Sequence, residues 1–199
     1  MKIIKGGVTA AKGFEAASAA AGIKYQGRTD MALVYSQKPC EAAGTFTTNV
    51  VKAAPVKWDK KVMESNAKPQ VIVINSGIAN ACTGDAGMEC CKEVAKEVTK
   101  VLETETESVL IGSTGVIGMQ LPVEKMKDGV HLLAKEKAEG LEMGNLAAKA
   151  IMTTDTKEKE AAVTIELDGT TVTIGGMAKG SGMIHPNMCT MLAFITTDA

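Results

Sequence analysis

The sequence predicts an α/β (α+β) layered sandwich of sheets and helices. Three observations carry that expectation. Short apolar runs at 32–35, 71–74 and 109–111 read as buried strands. Between the second and third runs, apolar residues recur at helical spacing, the mark of an amphipathic helix packed on a sheet. Near the C-terminal end, "AAVTIELDGTTVTIGG" alternates apolar and polar residues around Asp168-Gly169, a hairpin signal. Strands and helices interleave, but without the strict rhythm of repeated parallel βαβ units.

Taken in order, the elements are these. Residues 32–35 and 71–74 form the first two strands. A helix follows over 85–102, with Met88, Cys91, Val94, Ala95, Val98, Val101 and Leu102 on one face and Asp85 as its N-cap. After the strand at 109–111, Pro122 opens a second helix running to about Lys137, where a first-turn proline costs no hydrogen bond. A third helix covers 145–152, and the hairpin comes next. "TMLAFIT" closes the chain as one more strand. Its apolar residues are consecutive over 191–195, which predicts burial on both faces.

Composition bounds the function. With 199 residues, 45% hydrophobic and 23% charged, the chain has the balance of a soluble globular protein able to bury a core. Aromatics are only 3%, so small side chains fill the interior and elements approach closely. A net charge of −1, with lysines dispersed along the chain, argues against nucleic-acid binding. The cysteines (Cys40, Cys82, Cys90, Cys91, Cys189) are odd in number and form no C-x-x-C pair, which points to reduced thiols. Only His131 and His185 are available, against a histidine-rich metal site, so no metal is expected. No apolar stretch suits a signal peptide or a membrane span, and the expected location is the cytoplasm. No repeat or low-complexity linker divides 1–199, which reads as a single domain segment.

Glycine-rich stretches follow two of the strands. "INSGIANACTG" comes after 71–74 and "GSTGVIG" after 109–111. Such turns either aim backbone N–H groups at a ligand or simply reverse the chain. A third stretch, "GMAKGSGMIHPNMCTMLAF" over 176–194, holds Lys179-Gly180-Ser181-Gly182, which superficially resembles a phosphate cradle. The phosphate motifs fail on inspection. Lys179 precedes its glycines instead of following them, and Gly182 is followed by Met, Ile and His.

Cys189 and Thr190 offer two adjacent nucleophiles. A cysteine nucleophile needs a base in reach, and Pro186 breaks any helix that would bring His185 alongside Cys189. Thr190 could use its own α-amino group as base, provided that the bond before it is cut. On the residues alone, a structural threonine opening a strand remains the alternative.

"GVTAAKGFEAA", "TFTTNVVKAAPV", "NSGIANACTG", "GSTGVIG", "AIMTTDT" and "KGSGMIHPNMCTML" occur in this order. Together they resemble the ornithine acetyltransferase (glutamate N-acetyltransferase) family of arginine biosynthesis, across essentially the whole chain. The resemblance implies the aminopeptidase/ornithine acetyltransferase type of layered fold. It implies self-cleavage between Cys189 and Thr190 into α and β chains, and acetyl transfer from N-acetylornithine to glutamate through an acetyl-threonine. By the same resemblance Thr190 is the nucleophile and Thr114 and Gly115 form the oxyanion hole. Thr153, Lys179 and Thr190 would contact substrate, with the Lys179 cation suited to an α-carboxylate. No cofactor is implied, and acetyl-CoA is an alternative acetyl donor. The implied partner is the β chain, in an α2β2 heterotetramer.

Two positions depart from the family pattern: Cys189 stands where Ala is usual, and Ile78 where Asn is usual. The α chain would be 1–189 and the start of the β chain 190–199, the remainder of the β chain being absent. The expectation for 1–199 alone is therefore inactivity. Two other readings are an N-terminal-nucleophile aminopeptidase of the same fold and a noncatalytic fragment or partner subunit.

Overall fold

A computed structural model describes residues 1–180 and 191–199, the side chain of Thr106 excepted. Two four-stranded sheets form its frame. The first contains β2 (Phe14–Ala19), β3 (Met31–Ser36), β4 (Val71–Ile78) and β5 (Val109–Val116), in that order. The β2–β3 and β3–β4 pairs are antiparallel, while β4–β5 is parallel. The second sheet orders β1 (Lys2–Ile4), β6 (Lys159–Leu167), β7 (Thr170–Lys179) and β8 (Leu192–Thr197), all antiparallel.

Helix α1 (Ala54–Glu64), α2 (Gly84–Leu102) and α3 (Val123–Glu136) cover one face of the first sheet. Helix α4 (Leu141–Ala150) and the second sheet pack on its other face. This explains the unbroken apolar runs. In β3, Met31 and Leu33 enter the core with α2 and α3, while Ala32 and Val34 enter the core with α4. In β4, Val71 and Val73 face the first core and Ile74 the second. A strand with apolar neighbours on both faces has no reason to alternate.

The layered fold class is as the sequence predicts, and so are β3, the 85–102 helix and the hairpin. Asp168 and Gly169 both adopt positive φ, 49° and 78°, as a two-residue turn between twisted strands requires. Four expectations need correction. Helix α2 begins at Gly84 after Thr83, so Asp85 lies in its first turn, where its charge suits the helix dipole, and is not the cap. Helix α4 spans Leu141–Ala150, starting four residues before the expected 145 and taking in Gly144, where a Cβ would meet Thr9 Oγ1 at 2.5 Å.

The third correction concerns the glycine-rich stretches, which are largely strand. The β4–β5 ladder continues through Asn75–Ser113, Ser76–Thr114, Gly77–Gly115 and Ile78–Val116. Beyond it, the Ala79 N–H still reaches the Val116 carbonyl at 2.9 Å. The fourth concerns β8. It is an edge strand, with Met191 just before it 50% exposed and Ile195 73% exposed, while Leu192 and Phe194 turn to the core. Residues 191–195 therefore alternate, and burial on both faces does not occur in this structure.

Sequence patterning missed β1, β2 and α1. Helix α1 closes the outer edge of β5 with side chains. Trp58 Nε1 donates to the Val109 carbonyl at 2.9 Å, and the Ile111 N–H donates to Asp59 Oδ1 at 2.8 Å. A free sheet edge is thereby given partners from a helix.

Candidate active site

Strand β7 turns Gly175, Met177 and Lys179 to its buried side. A lysine in that series, only 3% exposed, breaks the apolar pattern and must have partners. Its Nζ donates to Thr153 Oγ1 at 2.7 Å and to Thr114 Oγ1 at 3.2 Å. Asp155 Oδ2 stands 3.9 Å away. Burial pulls the Lys179 pKa below its ordinary value; the Asp155 charge opposes that pull, and the Lys159 charge adds to it.

Three separate segments thus meet at one ammonium. Thr114 comes from the end of β5, Thr153 from the turn after α4, and Lys179 from the end of β7. The turn after α4 is anchored twice. Ser76 Oγ of β4 donates to the Ala150 carbonyl at 2.8 Å, and Arg28 Nη2 donates to the Met152 carbonyl at 2.6 Å. These bonds set Thr153 against the sheet.

Gly115, next to Thr114, has φ of 137°, a conformation side chains resist. A Cβ there would lie 2.2 Å from the carbonyl carbon of Gly77 on the neighbouring strand. Only glycine allows β5 to run this close to β4 at this point.

Asp155 is the buried charged group beside Lys179 that sequence reasoning missed. Its side chain is 2% exposed. It accepts from the Gly180 N–H at 2.7 Å, from Lys159 Nζ at 2.7 Å and from the Thr153 N–H at 3.3 Å. Burial pushes its carboxyl up, but the bonds from Lys159, Gly180 and Thr153, with the Lys179 charge, outweigh this and hold it below the ordinary value. The signal was present in "AIMTTDT": one carboxylate in an otherwise uncharged run.

The "NSGIANACTG" stretch builds structure. Asn75 Nδ2 donates to the Ile78 carbonyl at 2.9 Å, and Ser113 Oγ donates to Asn75 Oδ1 at 2.7 Å. Asn80 Nδ2 donates to the Gly87 carbonyl at 3.1 Å, and Thr83 Oγ1 donates to Asn80 Oδ1 at 2.8 Å. Ile78 is buried in the core with the helices. Asn75, Asn80 and Thr83 thus support β4 and the start of α2, while Ser76 anchors the turn after α4.

Among the described residues, no group of three or more His, Cys, Asp or Glu is placed to hold a metal ion. His131 pairs with Glu97 on the surface at 2.7 Å. Burial pushes the Cys90 thiol up to about 11 and raises Cys91 as well, which leaves neither suited to act as a thiolate. No helix of the described residues is long and apolar enough to cross a membrane. Cys189 and Thr190 lie outside the described residues.

The frame has the fold of solved ornithine acetyltransferase structures. The ornithine acetyltransferase of Mycobacterium tuberculosis, in its complex with ornithine, matches with a TM-score of 0.86 and 42% identity, over 96% of this chain and 99% of that one. The arginine biosynthesis bifunctional protein ArgJ of Bacillus halodurans matches with a TM-score of 0.88 and 37% identity, over 96% and 97%. Residues 15–199 match the ArgJ family, and the chain belongs to it. Its sequence is 50% identical over 195 residues to the arginine biosynthesis bifunctional protein ArgJ of Gloeobacter violaceus, covering 98% of this chain and 48% of that protein. It is 51% identical over 201 residues to the ArgJ of Symbiobacterium thermophilum, covering all of this chain and 49% of that protein. The chain spans about half the length of these curated relatives.

Proposed function

We propose that this chain supplies the α side of an acetyltransferase that moves an acetyl group from N-acetylornithine to glutamate. The observation that carries the reading is the meeting of Thr114, Thr153 and Lys179 at one buried point. In the sequence these residues stand in three of the motifs shared with ornithine acetyltransferases.

The chemistry needs two stages. In the first, the Thr190 hydroxyl adds to the Cys189 carbonyl and the amide becomes an ester, freeing the Thr190 amine. Water then opens the ester, which divides 1–189 from the chain that starts at Thr190. In the second, the free amine takes the Thr190 hydroxyl proton as the oxygen attacks the acetyl carbonyl of N-acetylornithine. Ornithine leaves with that proton on its amine, and Thr190 carries the acetyl ester. The amine of glutamate attacks the ester, and the Thr190 oxygen regains a proton. Each addition places negative charge on a carbonyl oxygen, which the Thr114 hydroxyl and the Gly115 N–H would stabilise as preorganised donors. Lys179 and Thr153 would contact the substrate, the cation answering a carboxylate.

On this reading no cofactor takes part, and acetyl-CoA is an alternative donor. The partner is the β chain beginning at Thr190, in an α2β2 assembly in the cytoplasm. The test is an intact-mass measurement on the complete protein together with an assay of acetyl transfer from N-acetylornithine to glutamate. Fragments dividing at Cys189–Thr190 and transfer by the divided protein support the proposal. Uncut, inactive protein overturns it. Hydrolysis of peptides without transfer would assign an N-terminal-nucleophile aminopeptidase instead.

A further inference from the structure

Asp155 belongs to none of the roles above, yet it bonds to the Thr153 peptide and faces the Lys179 ammonium. Its two oxygens bind the Gly180 N–H, the Thr153 N–H and Lys159 Nζ, and one faces Lys179 Nζ at 3.9 Å. It is therefore bonded to the peptide after Lys179 and to the peptide of Thr153, the residue on which Lys179 rests at 2.7 Å. We propose that Asp155 is a positioning residue for the transfer reaction: it pins both segments that bracket Lys179 and keeps a negative charge beside the ammonium. This rests on the proposed acetyl transfer.

The geometry separates the two tasks. Gly180 and Thr153 bind different oxygens of Asp155, so an amide at residue 155 can keep the short bond from Gly180 and gives up the longer one from Thr153. The charge acts on Lys159 at 2.7 Å and on the buried Lys179 at 3.9 Å. Among the described residues the ionised groups facing Lys179 are Asp155 and Lys159, and their effects on it are opposite in sign. Lys179 is buried, and of these two charges only that of Asp155 works against loss of its proton. A protonated Lys179 donates to Thr114 and Thr153, while Asp155 at 3.9 Å acts on it through charge. Because both hydroxyl oxygens accept from the ammonium, their own protons must point elsewhere, where each remains a donor. A neutral amine with an acceptor lone pair would remove that bias.

Asp155→Asn can keep an acceptor for the Gly180 N–H and deletes the charge, and Lys159→Met changes the charge beside Lys179 while leaving the Gly180 and Thr153 bonds in place, so the pair separates charge from structural support. In the complete protein it should lower kcat/KM for acetyl transfer about tenfold or more, as small misplacements at a reacting centre do. It should also move the alkaline fall of the pH profile to lower pH. If Asp155 acts through Lys179, the Asp155→Asn/Lys179→Met double variant is no slower than Lys179→Met alone, whereas independent roles would multiply.

A second measurement does not depend on activity. The carbon chemical shift of Lys179 Cε, followed by NMR across pH in the complete protein and assigned with Lys179→Met, reports its proton without a reagent having to reach the buried amine. Its titration should move to lower pH in Asp155→Asn and to higher pH in Lys159→Met, an exposed-site change expected to fold. Identical titrations in both variants and the parent would overturn the proposal. Loss of acetyl transfer in the parent protein would instead overturn the proposed function, and the titrations would still decide the role of Asp155.

Discussion

Lys179 Nζ lies 3.2 Å from Thr114 Oγ1, although the two residues stand 65 positions apart and on different sheets. The contact ties the end of β7 to the end of β5, so the site is assembled across the interface between the two sheets. Its parts are supplied by strand ends and by one turn, and each is held by buried backbone on at least one side.

The first prediction concerns these two residues. Removing one oxyanion donor typically costs about 2.7–4 kcal/mol in the transition state. Thr114→Ala should therefore lower kcat by two orders of magnitude or so and leave KM nearly unchanged. Lys179→Ala should chiefly raise KM. Steady-state kinetics on the complete protein decide this, and the reverse pattern would exchange the two roles.

Thr190 is predicted to serve both stages with one hydroxyl. Thr190→Ala should abolish self-cleavage and transfer together, and Thr190→Ser should retain part of each. Intact mass and the transfer assay read the two stages separately. Transferase activity in the alanine variant would sink the mechanism.

Gly115→Ala tests the close approach of β4 and β5. The new Cβ would meet Gly77 backbone at 2.2 Å, and φ of 137° strains any side chain. Backbone of a paired strand cannot give way as a flexible side chain can. The expected loss of stability is on the order of 3 kcal/mol. Urea unfolding of the variant should show a lower midpoint, and an unchanged midpoint would mean that β5 moves freely.

Asp59 makes stability depend on pH. Burial raises its carboxyl from the ordinary 3.8 to about 7, against the smaller opposing effect of the Ile111 N–H. The folded chain therefore binds this proton more tightly than the unfolded chain, and stability falls as pH rises from 3.8 towards 7. The loss across that window from this group alone is at most about 4 kcal/mol. Asp59→Asn keeps the acceptor for Ile111 and has no proton to lose. Its unfolding free energy, measured at both ends of the window, should decline less with pH than that of the parent. Parallel profiles would mean that Asp59 ionises freely in the folded chain.

Much of the frame was legible in local pattern. Unbroken apolar runs marked β3 and the first halves of β4 and β5, because a strand covered on both faces shows no polar side. The α2 stripe and the Asp168-Gly169 turn were equally plain, since both depend on neighbours close in sequence. Helix α1 was not legible. Its contribution is the reach of Trp58 and Asp59 to the edge of β5, about fifty positions away. Nor could pattern tell that β8 sits at an edge, because a consecutive apolar run looks the same whether or not a further layer covers it.

The candidate site divides in the same way. Motif resemblance alone named Thr114, Gly115, Thr153 and Lys179, since each residue type at its place in a motif is a local property of the chain. That Thr114, Thr153 and Lys179 touch, that Gly115 is required by Gly77, and that Asp155 joins Gly180 to Thr153 were decided only by tertiary structure. The physical reason is range. Propensity and periodicity act over a few residues, whereas a buried ammonium finds its partners wherever two packed sheets bring oxygens within about 3 Å of it.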